Sequence, residues 1–238
     1  MYREHIQAGP HIACLWSRDP EPEPRGHRIV PDACVDIVWT RGRLVVAGPA
    51  TGPVITELPG SSPAFGVRFR VGAAGAALGL PAAELLDATV PLADVWDDAA
   101  RIEDAAATRG LPGLAAAVAA RIEREPDRAV RAAAQGADVG LGDRQLRRRF
   151  AEAVGYGPKT LERILRFQRF LVLARATGSD LAWLALDAGY ADQAHLTREC
   201  TRLAGLPPSA LLASGAGPAG ERSDSFKTAG PALATMAA

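Results

Sequence analysis

The sequence is poor in cysteine and lacks long hydrophobic runs. It has three cysteines, far apart along its 238 residues: Cys14, Cys34 and Cys200. An odd and scattered set does not make a disulfide framework and is typical of reduced thiols inside a cell. The start of the chain has no apolar signal core, and the longest apolar-rich run, residues 71–86, is interrupted by Pro81 and Glu84. We therefore expect neither secretion nor a membrane span, and a cytoplasmic location.

Net charge of either sign is also absent, but the charges are unevenly placed. The chain has 27 Lys and Arg against 27 Asp and Glu. The first 120 residues hold 10 basic and 14 acidic residues, whereas residues 121–212 hold 15 and 11. Residues 143–175 alone hold nine basic and three acidic residues, a local excess of the kind that binds phosphate. A solvated helical face is the other interpretation, and charge counting leaves both open.

Five short segments of the first seventy residues are predicted as strands, because they are rich in β-branched and apolar residues and lie between prolines and glycines. These segments are residues 12–16, 27–30, 34–40, 44–47 and 65–70. In the last of them Phe65, Val67 and Phe69 alternate with Gly66, Arg68 and Arg70. We therefore expect one face of this strand to be apolar and the other to meet water.

Helices are predicted from Gly72 to about Glu125, where the chain becomes rich in alanine, with breaks at Pro81, Pro91 and Pro112. The predicted fold class is α+β, with a small β-rich N-terminal domain and its following helices at residues 1–125. An all-α domain follows at residues 126–213. Residues 214–238 contain almost no core formers, and we expect a disordered tail.

The segment from Asp143 to Gly155 predicts a helix with one cationic face. On a helix Arg144, Arg147 and Arg148 fall on one side, while Leu146 and Phe150 fall on the other. The arginine fork can bond bidentately to guanine or clamp phosphate, which suits a helix in the major groove. Arginine-rich surface helices without any DNA role are common, so the pattern alone leaves that alternative open.

A second helix is predicted within residues 191–205, after a tight turn. Leu196, Cys200 and Leu203 make its buried stripe, and Gly189 ends the short helix that precedes it. Between these two segments, residues 158–176 predict one long helix with Pro158 in its first turn. At about 1.5 Å per residue this connector is roughly 27 Å long. Such a span can hold two recognition helices near the roughly 34 Å repeat of successive major grooves.

These segments together resemble the AraC/XylS family of transcription regulators. The resemblance rests on residues 144–150 in the first recognition helix, residues 155–170 for the linker helix, residues 189–199 for the second helix-turn-helix, and residues 206–209 for the closing motif. Residues 31–39 and 66–74 also resemble the short uncharacterised domain that some members carry at the N-terminus. The resemblance implies a bacterial regulator with two helix-turn-helix units joined by a long linker helix, reading two adjacent major grooves.

The resemblance implies a set of DNA-binding residues. The base-reading positions fall on Arg144, Arg147, Arg148, Gln193, Ala194, His195 and Arg198. Ala194 offers only a methyl group, and His195 has packing or a phosphate contact as alternatives. Lys159 and Arg163 begin the linker helix, where phosphate contact and simple solvent exposure are both open.

Two features depart from the family pattern. Gly142 stands where a serine usually caps the first recognition helix, and we expect Asp143 to accept the free amides instead. Residues 130–141 are about one helix shorter than expected, and Gly136 interrupts them. We therefore expect an abbreviated support for the first recognition helix and better order in the second helix-turn-helix.

Enzymatic and metal-binding interpretations are disfavoured. Four residues could in principle bind zinc: His11, Cys14, His27 and Cys34. Their spacing matches no compact metal site, and we expect no metal and no cofactor. Asp32, Asp36 and Glu57 could be imagined as acid-base carboxylates, but no nucleophile or phosphate loop accompanies them.

The expected partners are double-stranded DNA, a small-molecule effector acting through the N-terminal domain, RNA polymerase and a second copy of the chain. The competing class is a protein-interaction module whose degenerate first helix-turn-helix no longer binds DNA specifically.

Overall fold

The computed structural model describes residues 2–7, 9–20, 25–58 and 63–216. They form two compact units. The first contains the described residues up to Arg25, Cys34–Pro49 and those within Pro59–Pro158, and the second contains Gly26–Ala33, those within Ala50–Leu58 and those from Lys159 onward. These units follow spatial contact, whereas the boundary near residue 125 was drawn from sequence and stays a prediction.

Strands occupy the N-terminal part of the chain, as predicted. Their bounds are Tyr2–Ile6 (β1), Ile12–Arg18 (β2), Arg25–Ile29 (β3), Asp36–Thr40 (β4), Arg43–Ala47 (β5), Val54–Leu58 (β6), Ala64–Phe69 (β7) and Thr89–Pro91 (β8). The five predicted strands are confirmed as β2, β3, β4, β5 and β7. The other three were not predicted, and β8 lies where only helices were expected.

The first unit is built on a six-stranded sheet in the order β1-β2-β7-β4-β5-β8. The central strand β7 pairs antiparallel with β2 and with β4. Its apolar residues Phe65, Val67 and Phe69 belong to a core cluster that helices Ala74–Leu78 (α1) and Ala99–Arg121 (α2) complete. α2 is broken at Gly110, two residues before the predicted break at Pro112.

The opposite face of β7 does not meet water as expected, because Arg68 is only 1% exposed. Its Nε lies 3.1 Å from Asp36 Oδ1 on the neighbouring strand, and its Nη1 lies 3.5 Å from Glu4 Oε1. Trp16 also donates its indole N–H to Asp36. Buried guanidinium and carboxylate groups are tolerated when they are paired and hydrogen-bonded, which the alternation pattern alone could not reveal.

Two short helices of the C-terminal half belong to the first unit, namely Arg128–Ala134 (α3) and Asp143–Val154 (α4). The second unit holds Pro158–Thr177 (α5) from Lys159 onward, Leu181–Ala188 (α6), Gln193–Ala204 (α7) and Pro208–Leu211 (α8). The predicted linker helix and the helix, turn and helix after it are thus confirmed.

The chain after α8 continues as a helical turn at Leu212–Ala216. The tail was predicted to be disordered from residue 214, so its first three residues differ from the prediction. The remainder, residues 217–238, lies outside the described residues. None of the helices described is both long and apolar enough to cross a membrane.

Candidate nucleic-acid interface

α4 presents the predicted cationic face. Arg144, Arg147 and Arg148 are exposed, whereas Phe150 and Val154 on the other side are buried at 1% and 2% exposure. Arg147 lies 4.0 Å from Asp143, and Arg148 lies 3.8 Å from Glu152, each one turn away on the same helix. Such exposed pairs contribute about 0.3–0.5 kcal/mol, so these guanidinium groups are readily available to another anion.

α4 is supported by the N-terminal part of the first unit, which compensates for the short segment before it. Gly75 on α1 packs so closely on α4 that a Cβ there would overlap the carbonyl oxygen of Glu152. Gly155, which ends α4 at a φ of 99°, has Pro49 and Ala82 against it. The support of α4, the predicted first recognition helix, therefore comes from residues far away in sequence.

The segment before α4 contains one helix, as its shortness predicted. Asp127 caps α3 by accepting hydrogen bonds from the N–H groups of Ala129 and Val130, at 2.9 and 3.2 Å. Its carboxylate also lies 3.3 Å from Arg149 Nη1, which ties the start of α3 to α4. Gly136, at a φ of 85°, follows the end of α3 and confirms the predicted interruption.

The predicted capping role of Asp143 is wrong. The N-cap residue of α4 is Gly142, and no side chain caps the helix there. Asp143 occupies the first helical position and faces Arg147 instead. Its charge still lies at the positive end of the helix dipole, where a carboxylate is favourable.

α6 and α7 form a helix-turn-helix with a cap at the start of each helix. Asp180 accepts hydrogen bonds from the N–H groups of Ala182 and Trp183, and Asp192 accepts one from His195. Gly189 ends α6 at a φ of 93°, a left-handed conformation that glycine adopts at low cost.

The buried stripe of α7 is the predicted one. Leu196, Cys200 and Leu203 are exposed by 2% at most. Burial raises the pKa of the Cys200 thiol to about 12, and this thiol donates to the carbonyl of Leu206 at 3.3 Å. On the linker helix, Leu161, Ile164 and Leu171 are likewise buried, whereas Val172 is 44% exposed.

The outer face of α7 carries Gln193, Ala194 and Arg198, all of them exposed. His195 is half-buried, and its ring meets the Tyr190 ring edge to face at 5.2 Å. Its Nδ1 also lies 3.5 Å from the N–H of Ala191. The structure therefore shows that His195 packs against the turn, and its contact with DNA stays a prediction.

Lys159 and Arg163 on α5 differ in their surroundings. Lys159 is exposed. Arg163 is 30% exposed, and its Nε lies 3.0 Å from Oε1 of Glu199, a residue of α7 that is only 12% exposed. Glu199 and its second partner Arg166 were not singled out from the sequence, although an acidic residue within an otherwise basic helix face was a visible signal.

One residue of β3 also reaches the second helix-turn-helix. Arg28 donates from Nη1 to the carbonyl oxygen of Ala204, the last residue of α7, at 2.7 Å. Gln168 of α5, fully buried, donates to the carbonyl of Pro31 at 2.6 Å. No local pattern indicated these contacts, since the partners are more than 130 residues apart in sequence.

A cleft of about 480 Å³ lies within the first unit, between α1 and α4. Gly72, Gly75 and Leu80 line one side, while Arg149 and Glu152 are among the residues of the other. Its volume is within the range of small-molecule sites, although its walls carry more charge than most of them.

Comparison with known families gives two matches. Residues 136–214 match a family model described as a helix-turn-helix domain, and residues 7–91 match one described as a domain of unknown function (DUF6597). The first match includes α4 and runs through α8, so it covers both predicted recognition helices. Searches of curated proteins and of solved structures found no match.

Proposed function

Because this chain carries an AraC-type helix-turn-helix domain, behind an N-terminal domain of unknown function, we propose that it binds specific DNA sequences through two adjacent major grooves. The helix-turn-helix family is one of DNA-binding regulators and not of enzymes. The observation that carries the proposal is the same in both units. α4 and α7 each bury one side and expose arginine on the other.

The proposed contacts fall into two classes. Arg144, Arg147 and Arg148 on α4, and Gln193, Ala194 and Arg198 on α7, read base edges. Lys159 contacts phosphate, which positions the domain without reading sequence. The alternative of a protein-interaction module with a degenerate first helix-turn-helix has no support, since the family match includes α4 and the arginines of α4 are exposed.

The proposal predicts two kinds of loss on substitution. Duplexes selected from a random pool by the full chain should bind at least ~10³-fold more tightly than scrambled duplexes in fluorescence anisotropy. Arg147→Ala and Arg198→Ala should each weaken binding to the selected duplex by about 1–3 kcal/mol, because each removes a base contact, and leave scrambled DNA much less affected.

Arg109→Ala is the matched control, since it removes the same charge from an exposed position of α2. It should leave the preference for the selected duplex unchanged. A wild-type protein that retains no sequence from the pool above background would refute the proposal.

We propose further that a small molecule acting through the N-terminal domain modulates DNA binding. Two observations support it: α4 packs directly on α1, and the cleft between these helices borders Arg149 and Glu152. A ligand that moved α1 would therefore move a recognition helix. This proposal predicts a metabolite that changes the unfolding temperature and the DNA affinity of the protein over the same concentrations. Finding no such compound in a metabolite library would count against the proposal.

The remaining parts of the proposal concern assembly and location. β1 ends the sheet order and Ile6 on it is 59% exposed, so that edge can pair with a second copy of the chain. Light scattering would then give twice the 24.9 kDa mass of one chain, and the single mass would contradict it.

Binding of chromosomal DNA implies the bacterial cytoplasm. Contact with RNA polymerase would make transcription in vitro depend on the protein.

A further inference from the structure

A group of charges joins the linker helix to the second recognition helix. Glu199 Oε1 on α7 lies 3.0 Å from Arg163 Nε, and Glu199 Oε2 lies 3.7 Å from Arg166 Nη2, both arginines being on α5. The side chains are 12%, 30% and 23% exposed, respectively. This enclosure distinguishes the group from the exposed pairs of α4, because partly buried ion pairs are screened less by water and salt.

Arg166 also holds the turn that precedes α7. Its guanidinium lies 5.2 Å from the centre of the Tyr190 ring, and the same ring meets His195 at 5.2 Å. Burial, together with the nearby Glu199 carboxylate, raises the pKa of the Tyr190 phenol, so the ring stays neutral under the cation. One arginine of α5 therefore contacts both the turn before α7 and Glu199 in the middle of α7.

These contacts fix the rotation of α7 about its own axis. Glu199 directly follows Arg198, so the two side chains leave the helix about 100° apart. Because Glu199 is held against α5, the Arg198 side chain projects into solvent, where it is exposed. The side chains of a binding site must be held within about 0.5 Å and 10–20° of their productive geometry. The buried stripe of α7 does not by itself guarantee that precision.

We propose that Arg163, Arg166 and Glu199 form a positioning clamp that sets the rotation of α7 and thereby the base preference of the second recognition helix. The proposal rests on the DNA-binding function proposed above. It gives Arg163 a different role from the phosphate contact that its place at the start of the linker helix suggested. The clamp acts through Arg198 and does not itself touch DNA.

The sign of one substitution separates the clamp from a simple effect of charge. Glu199→Gln removes a negative charge near the DNA, which by electrostatics alone should strengthen binding to every duplex. If the carboxylate positions α7, the substitution should instead lower the ratio of selected to scrambled affinity by about tenfold, within the range of coupled contact pairs. Asp187→Asn removes one negative charge from α6, where no ion pair is found among the described residues, and is the matched control.

Salt dependence separates the two roles of Arg163. Loss of a phosphate contact reduces the slope of log affinity against log salt by about 0.9, whereas loss of a positioning contact leaves the slope unchanged. Arg163→Ala should therefore keep the wild-type slope and lose base preference. Arg169→Ala, at an exposed position of the same helix, is the matched control and should keep the preference.

A DNA-free measurement keeps the clamp testable on its own. Amide hydrogen exchange across residues 193–204 should become faster in Glu199→Gln and Arg163→Ala than in Asp187→Asn and Arg169→Ala, because α7 loses its anchor to α5. Faster exchange in a protein without sequence preference would support the anchoring of α7 by Glu199 and refute the proposed function. Unchanged exchange together with an unchanged affinity ratio, or a reduced salt slope in Arg163→Ala, would overturn the clamp.

Discussion

At the scale of residues, the arginines of this protein differ in how enclosed and how closely paired they are. Arg147 is 70% exposed and has only a weak partner one turn away, 4.0 Å distant. Arg163 is 30% exposed and lies 3.0 Å from a carboxylate that is itself enclosed. An arginine that already pairs with an enclosed carboxylate must give up that ion pair before it can bind phosphate. The number of arginines therefore overstates the number of DNA contacts that we propose.

Gly75 shows that a missing side chain can matter as much as a present one. A Cβ at this position would overlap the carbonyl oxygen of Glu152 on α4. Gly75→Ala should therefore lower the free energy of unfolding by about 1–3 kcal/mol, the usual cost of overpacking, as measured by urea denaturation.

Gly157→Ala is the control, because a Cβ there meets nothing within 4 Å. It should be neutral or slightly stabilising. Equal stability of Gly75→Ala and wild type would show that α1 and α4 are not in close contact.

At the scale of elements, α3 and α4 are joined by one side chain with two tasks. Asp127 caps α3 and pairs with Arg149 on α4. Asp127→Ala removes both interactions and should cost about 1–2 kcal/mol of unfolding free energy.

Asp127→Asn separates the two tasks, because an amide oxygen can still cap the helix while the charge is lost. It should cost no more than about 1 kcal/mol, since Asp127 and Arg149 are 30% and 39% exposed and such pairs are weak. An Asn variant as unstable as the Ala variant would assign the whole effect to the ion pair.

The elements that local patterns specify were predicted well. The spacing of Leu196, Cys200 and Leu203 identified the buried side of α7, and Gly189 identified the turn before it. These features depend on residues within one or two turns of each other, so the sequence contains them directly.

The features that depend on distant partners were not predicted. β8 is three residues long and exists because it pairs with β5, more than forty residues earlier. Arg68 is buried because Asp36 and Glu4 are across the sheet from it. The support of α4 by Gly75 and the pairing of Arg163 with Glu199 are likewise tertiary contacts, which periodicity does not encode.

At the scale of the whole molecule, the two proposed recognition helices belong to different compact units, α4 to the first and α7 to the second. The N-terminal half of the chain contributes to both: Gly75 packs on α4, and Arg28 donates to the last residue of α7. A change in the N-terminal half can therefore reach α4 or α7 through direct contact, which is the physical basis of the regulation we propose.

The central claim is that one chain reads DNA with both α4 and α7. Hydroxyl-radical footprinting of the full chain on a selected duplex tests it most directly. We predict two protected stretches on one face of the DNA, with centres about 10 bp apart, the first lost in Arg147→Ala and the second lost in Arg198→Ala. A single protected stretch, or the same stretch lost in both variants, would contradict the claim.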